Sequence, residues 1–451
     1  MKLSILPGQP LRGEVTLPGD KSLSHRAALF AAMARGENRA ENFLVSGVTA
    51  AMLSALTALG VDWRLDGTTL TVQGKGLGGW QPPTGPLNCG NSATTLRLLA
   101  GALAAAGIPA TLDGSPGLRR RPMDRIVEPL RQMGVAIEAA PGGGAPLVLA
   151  GRAAGSRLHA LDYTLPVASA QVKTCLLLAA LAADGPSTLV EPSLSRDHSE
   201  RMLASQGAVI ETFNASGGPA VRVTPLPLAS PLGGHGGELA PLRMTIPGDF
   251  SAAAFLMVAA LVAPGSEIWL RNIGLNPTRT GLLASLQEMG AEIQVLNPHL
   301  ASGEPAGDLR VCHSRLHGAT IQGARVVDMI DEFPAFAAAA AFAEGQTVVR
   351  DAAELRYRES DRIAALCAEL RAEGVDVEEK PDGFTINGQG GVAGGAPVDP
   401  HGDHRLAMAL AVLGLGAKRS LQVGGAEIIA ESFPEFVATL TSLGARIAET
   451  A

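Results

Sequence analysis

One pattern recurs six times along the 451 residues and limits the possible folds more than any other feature of the chain. Each copy is a helix-like segment that ends at a glycine and continues into alternating, strand-like residues. The glycines lie 74, 73, 83, 84 and 70 residues apart, at Gly60, Gly134, Gly207, Gly290, Gly374 and Gly444. Glycine fits a left-handed cap at the C-terminal end of a helix, because it has no Cβ to clash with the backbone. We therefore expect each copy to end a helix and to start a strand.

A second set of helix-like segments, rich in alanine, alternates with the first. These segments span residues 22–35, 93–106, 170–183, 251–263, 335–344 and 405–414. Two helices and several strands in each unit of about 75 residues predict a βαβαββ arrangement. Units of this length can each form a small core, which favours two domains of three units over a solenoid. Glycine after a helix is common, but this alone does not explain six copies at near-regular spacing.

Composition and charge argue against several classes of protein. Hydrophobic residues make up 46% of the chain and charged residues 18%, which is typical of a compact globule. The net charge of -7 argues against general binding to nucleic acid or to an anionic membrane. The four cysteines include no C-x-x-C pair, so we expect no disulfide framework or zinc site. We also expect no other metal and no cofactor. The N-terminal segment lacks the apolar core of a signal peptide, and the longest apolar stretch, 252–263, is too short to span a bilayer. We expect a cytoplasmic monomer.

Basic residues stand near the predicted starts of several helices, where they oppose the helix macrodipole. They are Lys21, Arg26, Arg121, Arg196, Arg362 and Arg405. A cation at this place costs roughly 0.3–1 kcal/mol unless a bound anion compensates it. Any single one could be a solvated surface charge. Five such places at equivalent positions of the repeat instead favour a site for a multiply charged anion, held by helix N-termini and guanidinium groups.

Carboxylates stand beside these basic residues. They are Asp331 with Glu332, Glu359, and Asp403. A carboxylate at a helix start is ordinarily a cap, but among cations it is also a candidate for proton transfer. No P-loop, G-x-S-x-G or H-E-x-x-H motif occurs, which argues against nucleotide hydrolysis and metalloprotease chemistry.

At these residues the chain resembles the 5-enolpyruvylshikimate-3-phosphate synthase family, and the match runs from Leu11 to Ile447. The segments that carry the resemblance are residues 17–26, 90–97, 121–123, 169–171, 358–362, 403–408 and 432–434. The resemblance implies a mixed α/β (α+β) enolpyruvyl transferase fold of six βαβαββ units, three in each of two domains. The domains would comprise residues 1–19 with 242–451, and residues 20–241, with the active site in the cleft between them.

The resemblance also implies a reaction and roles for matching residues. The enolpyruvyl group of phosphoenolpyruvate would move to the 5-hydroxyl of shikimate 3-phosphate through a tetrahedral ketal that loses phosphate. Protons would pass through Lys21, Asp331 and Glu359. The residues implied for phosphoenolpyruvate are Lys21, Ala93, Arg121, Gln171, Arg362, His404 and Arg405. Those implied for shikimate 3-phosphate are Lys21, Ser22, Arg26, Ser169, Ala170, Gln171, Arg196, Asp331 and Arg358.

The chain departs from the family pattern at three positions. Arg358 replaces the commoner lysine, and Glu431 stands where many members carry a lysine. Ala93 replaces a glycine, as in the glyphosate-tolerant branch of the family. Two alternatives remain open: the sister enzyme that acts on UDP-N-acetylglucosamine, and a non-catalytic phosphometabolite-binding protein. The sister enzyme typically has a reactive cysteine in the loop that matches residues 115–121, and this chain has none there.

Overall fold

Strands and helices alternate along the chain in the order that the repeat predicts. The structure, a computed structural model, describes residues 1–153, 155–227, 238–301 and 303–450. The strands are β1 (Lys2–Leu6), β2 (Arg12–Thr16), β3 (Arg35–Glu41), β4 (Asp62–Asp66), β5 (Thr69–Lys75), β6 (Leu87–Asn88), β7 (Ala110–Asp113), β8 (Ile137–Ala139), β9 (Leu147–Leu149), β10 (Asp162–Thr164), β11 (Ser187–Val190), β12 (Ile210–Ala215), β13 (Gly218–Val223), β14 (Arg243–Thr245), β15 (Glu267–Gly274), β16 (Glu292–Ala301), β17 (Glu304–Cys312), β18 (Thr320–Ile321), β19 (Glu344–Val349), β20 (Asp376–Lys380), β21 (Gly383–Gln389), β22 (Pro397–Val398), β23 (Leu421–Val423) and β24 (Arg446–Thr450).

The helices include both sets that the repeat predicts. They are α1 (Lys21–Met33), α2 (Gly47–Ala58), α3 (Ala93–Ala106), α4 (Pro116–Arg119), α5 (Asp124–Gln132), α6 (Ala170–Ala180), α7 (His198–Ser205), α8 (Phe250–Val262), α9 (Gly281–Glu288), α10 (Ala324–Asp328), α11 (Phe333–Ala341), α12 (Arg362–Ala372), α13 (His404–Gly416) and α14 (Phe436–Ser442). Among the residues described, none of these helices is long and apolar enough to cross a membrane.

The chain divides into two units. The first unit comprises Met1–Pro18, Pro247–Leu300 and Pro305–Ala451, and the second comprises Gly19–Ile246 with Ala301–Glu304. The boundaries thus follow Pro18 and Ile246, whereas the sequence places them after residues 19 and 241. Strand β14 explains most of the difference, because it pairs in parallel with β3 in a sheet of the second unit.

Each unit contains three four-stranded sheets of the same design. The second unit has the strand orders β14-β3-β5-β4, β6-β7-β9-β8 and β10-β11-β13-β12, and the first has β16-β17-β15-β2, β18-β19-β21-β20 and β22-β23-β1-β24. In the β6 sheet, for example, β6 and β7 are parallel, whereas β9 runs antiparallel to both β7 and β8. The predicted fold of six βαβαββ units, three in each half, is confirmed.

The six repeat glycines cap helices as predicted. All of them have a positive φ, between 79° and 108°. At Gly134 the cap also makes the expected backbone hydrogen bonds, in which the amide of Gly134 donates to the carbonyl of Arg131 and that of Val135 donates to Leu130. The left-handed turn then directs the chain into a strand.

The alanine-rich helices begin close to the predicted starts, but three of them end two or three residues earlier than predicted. The helix expected to reach Arg35 ends at Met33, and the one expected to reach Glu344 ends at Ala341. Arg35 and Glu344 instead begin the strands β3 and β19. The helix expected to reach residue 183 ends at Ala180. Alanine favours a helix on both sides of the true end, so composition alone carries no stop signal there.

These helices form the centre of each unit. Every residue of α8 and α11 is buried, and each unit has a separate apolar core. Small side chains let the helices approach closely, most clearly where α3 meets α6. A Cβ at Gly101 of α3 would lie 2.1 Å from the carbonyl oxygen of Cys175 on α6. The helix starts are therefore held in fixed positions, and the predicted site residues lie on them.

Candidate active site

The second unit brings together the N-terminal ends of α1, α3 and α6. Asp20 caps α1, since its Oδ1 accepts a hydrogen bond from the Leu23 amide at 2.8 Å. Lys21 and Ser22 are the first two residues of this helix and are partly exposed. Their positions leave both side chains accessible to a ligand at the helix start.

Arg26 joins α1 to two other helices. Its side chain is buried, and Nε donates to Ser199 Oγ at 2.7 Å while Nη2 donates to Thr174 Oγ1 at 2.9 Å. Nη1 donates to the Ser22 carbonyl at 3.1 Å. Burial lowers the pKa of Arg26 to about 10, so the guanidinium stays charged at neutral pH. We call these four residues the Arg26 network.

Gln171 connects α6 to α3. Its Oε1 accepts from Arg97 Nη1 at 2.6 Å, and its Nε2 donates to Thr94 Oγ1 at 2.9 Å. Arg97 also donates through Nη2 to the carbonyl of Pro122 at 2.9 Å. Because Pro122 directly follows Arg121, this contact ties the arginine-rich loop to the two helix starts.

Two serines cap the remaining helix starts of this unit. Ser92 Oγ accepts from the Thr95 amide at 3.1 Å, and Ala93 is the buried first residue of α3. Ser169 caps α6 by a contact of 3.5 Å to the Val172 amide, and Ala170 begins that helix. Each start therefore presents backbone N–H groups, which bind anions well.

His25 lies behind these caps rather than among the exposed groups. Its Nε2 is 3.3 Å from Ser92 Oγ, and its Nδ1 is 2.8 Å from the Lys21 carbonyl. Burial lowers the pKa of His25 to about 4, so the imidazole is neutral at neutral pH. It links α1 to α3 without adding a charge.

In the first unit, Arg362 at the start of α12 joins three carboxylates. Its Nε donates to Asp403 Oδ2 at 2.7 Å, and its Nη2 donates to Glu359 Oε2 at 2.7 Å. Its Nη1 lies 3.8 Å from Asp331 Oδ1. Burial alone would lower the pKa of Arg362, but attraction to Asp403 and Glu359 outweighs it and raises that pKa above its ordinary value. We call these four residues the Arg362 network.

Asp403 is fully buried, yet its carboxylate stays ionised. Burial acts to raise the pKa of Asp403, but the charge of Arg362 outweighs it and holds that pKa below its ordinary value. Asp403 also caps α13, because its Oδ1 accepts from the Arg405 amide at 2.9 Å. One carboxylate thus fixes the starts of both α12 and α13.

Arg405 and His404 begin α13. Arg405 Nη1 donates to the Asp331 carbonyl at 3.1 Å, and its Nη2 lies 3.8 Å from Asp331 Oδ2. Asp331 therefore lies between two guanidinium groups, those of Arg362 and Arg405. His404 is buried, with Nδ1 3.9 Å from Glu431 Oε2.

Arg358 adds another guanidinium to this region. Burial lowers the pKa of Arg358, and Arg362 acts in the same direction, whereas Asp331 opposes the shift. Among the described residues, its Nε is buried and has no hydrogen-bond partner. The arginine therefore keeps one donor for a ligand beside Asp331.

Arg279 belongs with this region but was not among the predicted site residues. It is buried, and its Nη2 donates to Ser251 Oγ at 2.7 Å and lies 3.6 Å from Glu332 Oε1. Ser251 Oγ in turn donates to Glu332. Arg279 lies eleven residues before Gly290, and Arg196 lies eleven residues before Gly207. Alignment of the repeats on their glycines therefore identifies Arg279 as the equivalent of Arg196.

The predicted site residues fall into two sets, one in each unit. The second unit holds Lys21, Ser22, Arg26, Ala93, Arg121, Ser169, Ala170, Gln171 and Arg196. The first unit holds Asp331, Arg358, Glu359, Arg362, His404 and Arg405. Each set combines buried cations with helix N-termini, an arrangement that suits phosphate and carboxylate groups.

Comparison with known proteins identifies the family. A family model described as EPSP synthase (3-phosphoshikimate 1-carboxyvinyltransferase) matches residues 5–440. The chain belongs to the EPSP synthase family. A 3-phosphoshikimate 1-carboxyvinyltransferase of Geotalea uraniireducens (strain Rf4) is 47% identical over 438 residues, which cover 97% of this chain and 98% of that relative.

Solved structures agree with the EPSP synthase assignment. An EPSP synthase from Acinetobacter baumannii superposes with a TM-score of 0.86 at 38% identity and covers 99% of this chain and 100% of its own. The enolpyruvyl transferase NikO from Streptomyces tendae covers 100% of this chain and 98% of its own at a TM-score of 0.79 and 20% identity. That second likeness concerns the fold alone. The enolpyruvyl transferase fold expected from the sequence is confirmed.

Proposed function

We propose that residues drawn from both sets bind each of the two substrates of an enolpyruvyl transfer. The chain transfers the enolpyruvyl group of phosphoenolpyruvate to the 5-hydroxyl of shikimate 3-phosphate and releases phosphate, as its family membership indicates. The observation that carries the assignment of residues is the gathering of buried cations and carboxylates at helix starts inside the matched region. Both substrates are polyanions, and such starts bind anions.

For phosphoenolpyruvate, we propose a cationic set together with three neighbouring residues. The set is Lys21, Arg121, Arg362 and Arg405, and the neighbours are Ala93, Gln171 and His404. Arg362 shows how a ligand would be accommodated. Its Nε and Nη2 are held by carboxylates, whereas its buried Nη1 makes no hydrogen bond within the described residues. A carboxylate or phosphate oxygen at Nη1 would complete the guanidinium contacts.

For shikimate 3-phosphate, we propose a set that combines hydroxyls, an amide, cations and one carboxylate with Ala170 at a helix start. It is Lys21, Ser22, Arg26, Ser169, Ala170, Gln171, Arg196, Asp331 and Arg358. The starts of α1 and α6 supply backbone N–H groups for the phosphate. Arg26 is rigidly held by Thr174 and Ser199, so its charge is fixed before the substrate arrives. Preorganisation of this kind lowers the entropy cost of binding.

The reaction has two balanced steps. In the addition step, the 5-hydroxyl loses its proton to a base and its oxygen bonds to C2 of phosphoenolpyruvate, while the C2=C3 double bond opens and its electron pair takes a proton at C3 to give a methyl group. In the elimination step, the methyl group loses a proton, the C2=C3 double bond re-forms, and the bond from C2 to the phosphate oxygen breaks, so that phosphate leaves with that oxygen. These steps require an acid, a base and cations around the leaving phosphate. We propose Lys21, Asp331 and Glu359 for the proton transfers.

A phosphate-release assay with alternative acceptors tests this function. Purified protein should release phosphate from phosphoenolpyruvate when shikimate 3-phosphate is present, and not when UDP-N-acetylglucosamine replaces it. Phosphate release with the sugar nucleotide would support the sister activity. Tight binding of both substrates without turnover would support a non-catalytic binding protein.

The chain also has a feature that we propose confers tolerance to glyphosate. Ala93 is the buried first residue of α3, next to the Ser92 cap and beside Thr94, which binds Gln171. The family resemblance implies that sensitive members carry glycine at this position. Glyphosate is longer than phosphoenolpyruvate, so a methyl group here should crowd the inhibitor more than the substrate. A clash with one of two ligands is enough to create specificity.

We expect Ala93→Gly to sensitise the enzyme. Overpacking typically costs about 1–3 kcal/mol, so its removal should lower the glyphosate inhibition constant by roughly 5- to 150-fold. The KM for phosphoenolpyruvate should change much less. Ala106→Gly, in the last turn of the same helix and only partly buried, serves as a control for helix propensity. Equal inhibition of the wild type and Ala93→Gly would rule out the steric explanation.

Three further properties remain predictions from the sequence. They are the cytoplasmic location, the monomeric state, and the absence of nucleic-acid and membrane partners. Size-exclusion chromatography with light scattering measures the second directly.

A further inference from the structure

A buried group of three charges lies in the second unit, next to the proposed shikimate 3-phosphate residues. Lys173 on α6 is 2% exposed, and its Nζ lies 2.7 Å from Glu200 Oε1 and 3.2 Å from Glu191 Oε2. Burial alone would lower the pKa of Lys173, but attraction to Glu200 and Glu191 outweighs it and raises that pKa. The ammonium is therefore held in its charged form.

Glu191 and Lys173 together bind every polar group of Ser195. The Ser195 amide donates to Glu191 Oε2 at 2.8 Å, and its hydroxyl donates to Glu191 Oε1. Lys173 Nζ donates to the Ser195 carbonyl at 3.3 Å. The peptide that leads directly into Arg196 is thus fixed on the N-terminal side of that arginine.

The C-terminal side of the same segment is fixed as well. Ser199 Oγ lies 2.6 Å from Thr174 Oγ1 and accepts from Arg26 Nε. The next residue, Glu200, is bound to Lys173. Arg196 therefore lies on a short segment whose two ends are held by α6, while its own side chain is only partly buried.

A buried ionic group is a poor device for stability alone. Removing charges from water is costly, and well-packed apolar residues of similar volume often stabilise a protein as well or better. What the ionic group does is fix an orientation. Both oxygens of one carboxylate accept hydrogen bonds from Ser195, so the Ser195 peptide can point in only one direction.

We propose that Glu191 and Lys173 are positioning residues that hold Arg196 in place for shikimate 3-phosphate. The inference rests on the proposed function of Arg196 as a ligand of that substrate. It assigns a role to two buried residues that do not themselves touch the substrate.

The test compares two glutamates that share the same lysine. Glu191 uses both carboxylate oxygens, whereas Glu200 Oε2 has no hydrogen-bond partner within the described residues. A glutamine is neutral and has one acceptor oxygen, so in Glu191→Gln both Ser195 bonds lose their charged acceptor, and the hydroxyl stays bonded only by accepting from the new NH2 group. Glu200→Gln can keep its bond to Lys173. Each variant leaves Lys173 paired with one carboxylate, so neither leaves an unpaired buried charge.

We expect Glu191→Gln to raise the KM for shikimate 3-phosphate by about tenfold, because hydrogen bonds to an ionised group are roughly twice as strong as neutral ones. In Glu191→Gln, kcat and the KM for phosphoenolpyruvate should each change by less than about threefold. Glu200→Gln should change kcat and both KM values by no more than about twofold. An equal rise in both KM values, or equal effects of the two glutamine variants, would show a merely structural role and overturn the inference.

Arg196→Ala separates this inference from the function on which it rests. If Arg196 binds shikimate 3-phosphate, its removal raises that KM, and adding Glu191→Gln to Arg196→Ala has little further effect. If the KM for shikimate 3-phosphate does not rise in Arg196→Ala, the proposed role of Arg196 is wrong and the inference fails with it. If that KM rises in Arg196→Ala and the effects of Arg196→Ala and Glu191→Gln add fully in the double variant, the inference is overturned but the proposed role of Arg196 stands. Ser195→Ala, which removes only the hydroxyl bond, gives a smaller rise and replaces Glu191→Gln if that variant does not fold.

Discussion

Glu359→Gln and Asp331→Asn each lower kcat by roughly 10²–10⁴-fold, the usual contribution of a general acid or base. Glu359 receives a hydrogen bond from Arg362, and Asp331 lies 3.8 Å from both Arg362 and Arg405. An amide keeps the size of each side chain but cannot exchange a proton at neutral pH. Steady-state kinetics and ligand titration of both variants measure the effect, with binding of shikimate 3-phosphate to Glu359→Gln nearly unchanged.

Asp361→Asn provides a control in the same loop. Asp361 caps α12 through a bond from the Ala364 amide, and asparagine caps a helix about as well. Asp361 also pairs with Arg356 near the surface, a contact that contributes little. We expect its kcat to remain within about twofold of the wild type. Near-normal turnover in both Glu359→Gln and Asp331→Asn would remove these residues from the proton transfers.

Asp403→Asn destabilises the first unit by about 1.5–3 kcal/mol, the usual worth of a hydrogen bond to a charged group. The variant leaves Arg362 buried with one carboxylate bond instead of two, while asparagine still caps α13. Urea unfolding at neutral pH measures the change. Glu128→Gln, which removes an exposed partner of Arg131, should change the free energy of unfolding by less than about 0.5 kcal/mol.

The decrease in the free energy of unfolding caused by Asp403→Asn also depends on pH. The folded-state pKa of Asp403 lies below its ordinary value, so its ion pair stabilises the fold above the unfolded pKa of about 3.9. This contribution disappears as the pH falls through the lower, folded pKa. The difference between the wild type and Asp403→Asn should therefore shrink below about pH 4. A difference that stays constant down to pH 2 would show that charge pairing is not its cause.

The sequence predicts those parts of the fold that depend on local signals. A glycine with positive φ ends each of six helices, and the alanine-rich segments form the buried helices between them. The sheet edges are different. Strands β2 and β14, only five and three residues long, complete sheets whose other strands lie far away along the chain. Such non-local pairing leaves no periodicity in a short segment, which is why the predicted boundary at residue 242 differs from the observed one.

The site shows the same division between local and non-local information. Arg362 and Arg405 could be recognised because a cation at a helix start opposes the macrodipole. Thr174 and Ser199, which fix Arg26, are uncharged hydroxyls inside helices, and such residues are common in helices without any special role. Arg279 differs again, since its position in the repeat marks it although no familiar motif does.

The fate of the oxygen that joins C2 to phosphorus in phosphoenolpyruvate tests the enolpyruvyl transfer most directly. Elimination from the ketal breaks the bond between C2 and that oxygen. Phosphoenolpyruvate labelled at this oxygen with a heavy isotope should therefore give phosphate in which every molecule carries one heavy oxygen. Mass spectrometry of the products should also show shikimate 3-phosphate heavier by one enolpyruvyl group, in equal amount. Unlabelled phosphate, with the label retained in pyruvate, would show hydrolysis at phosphorus and contradict the transfer.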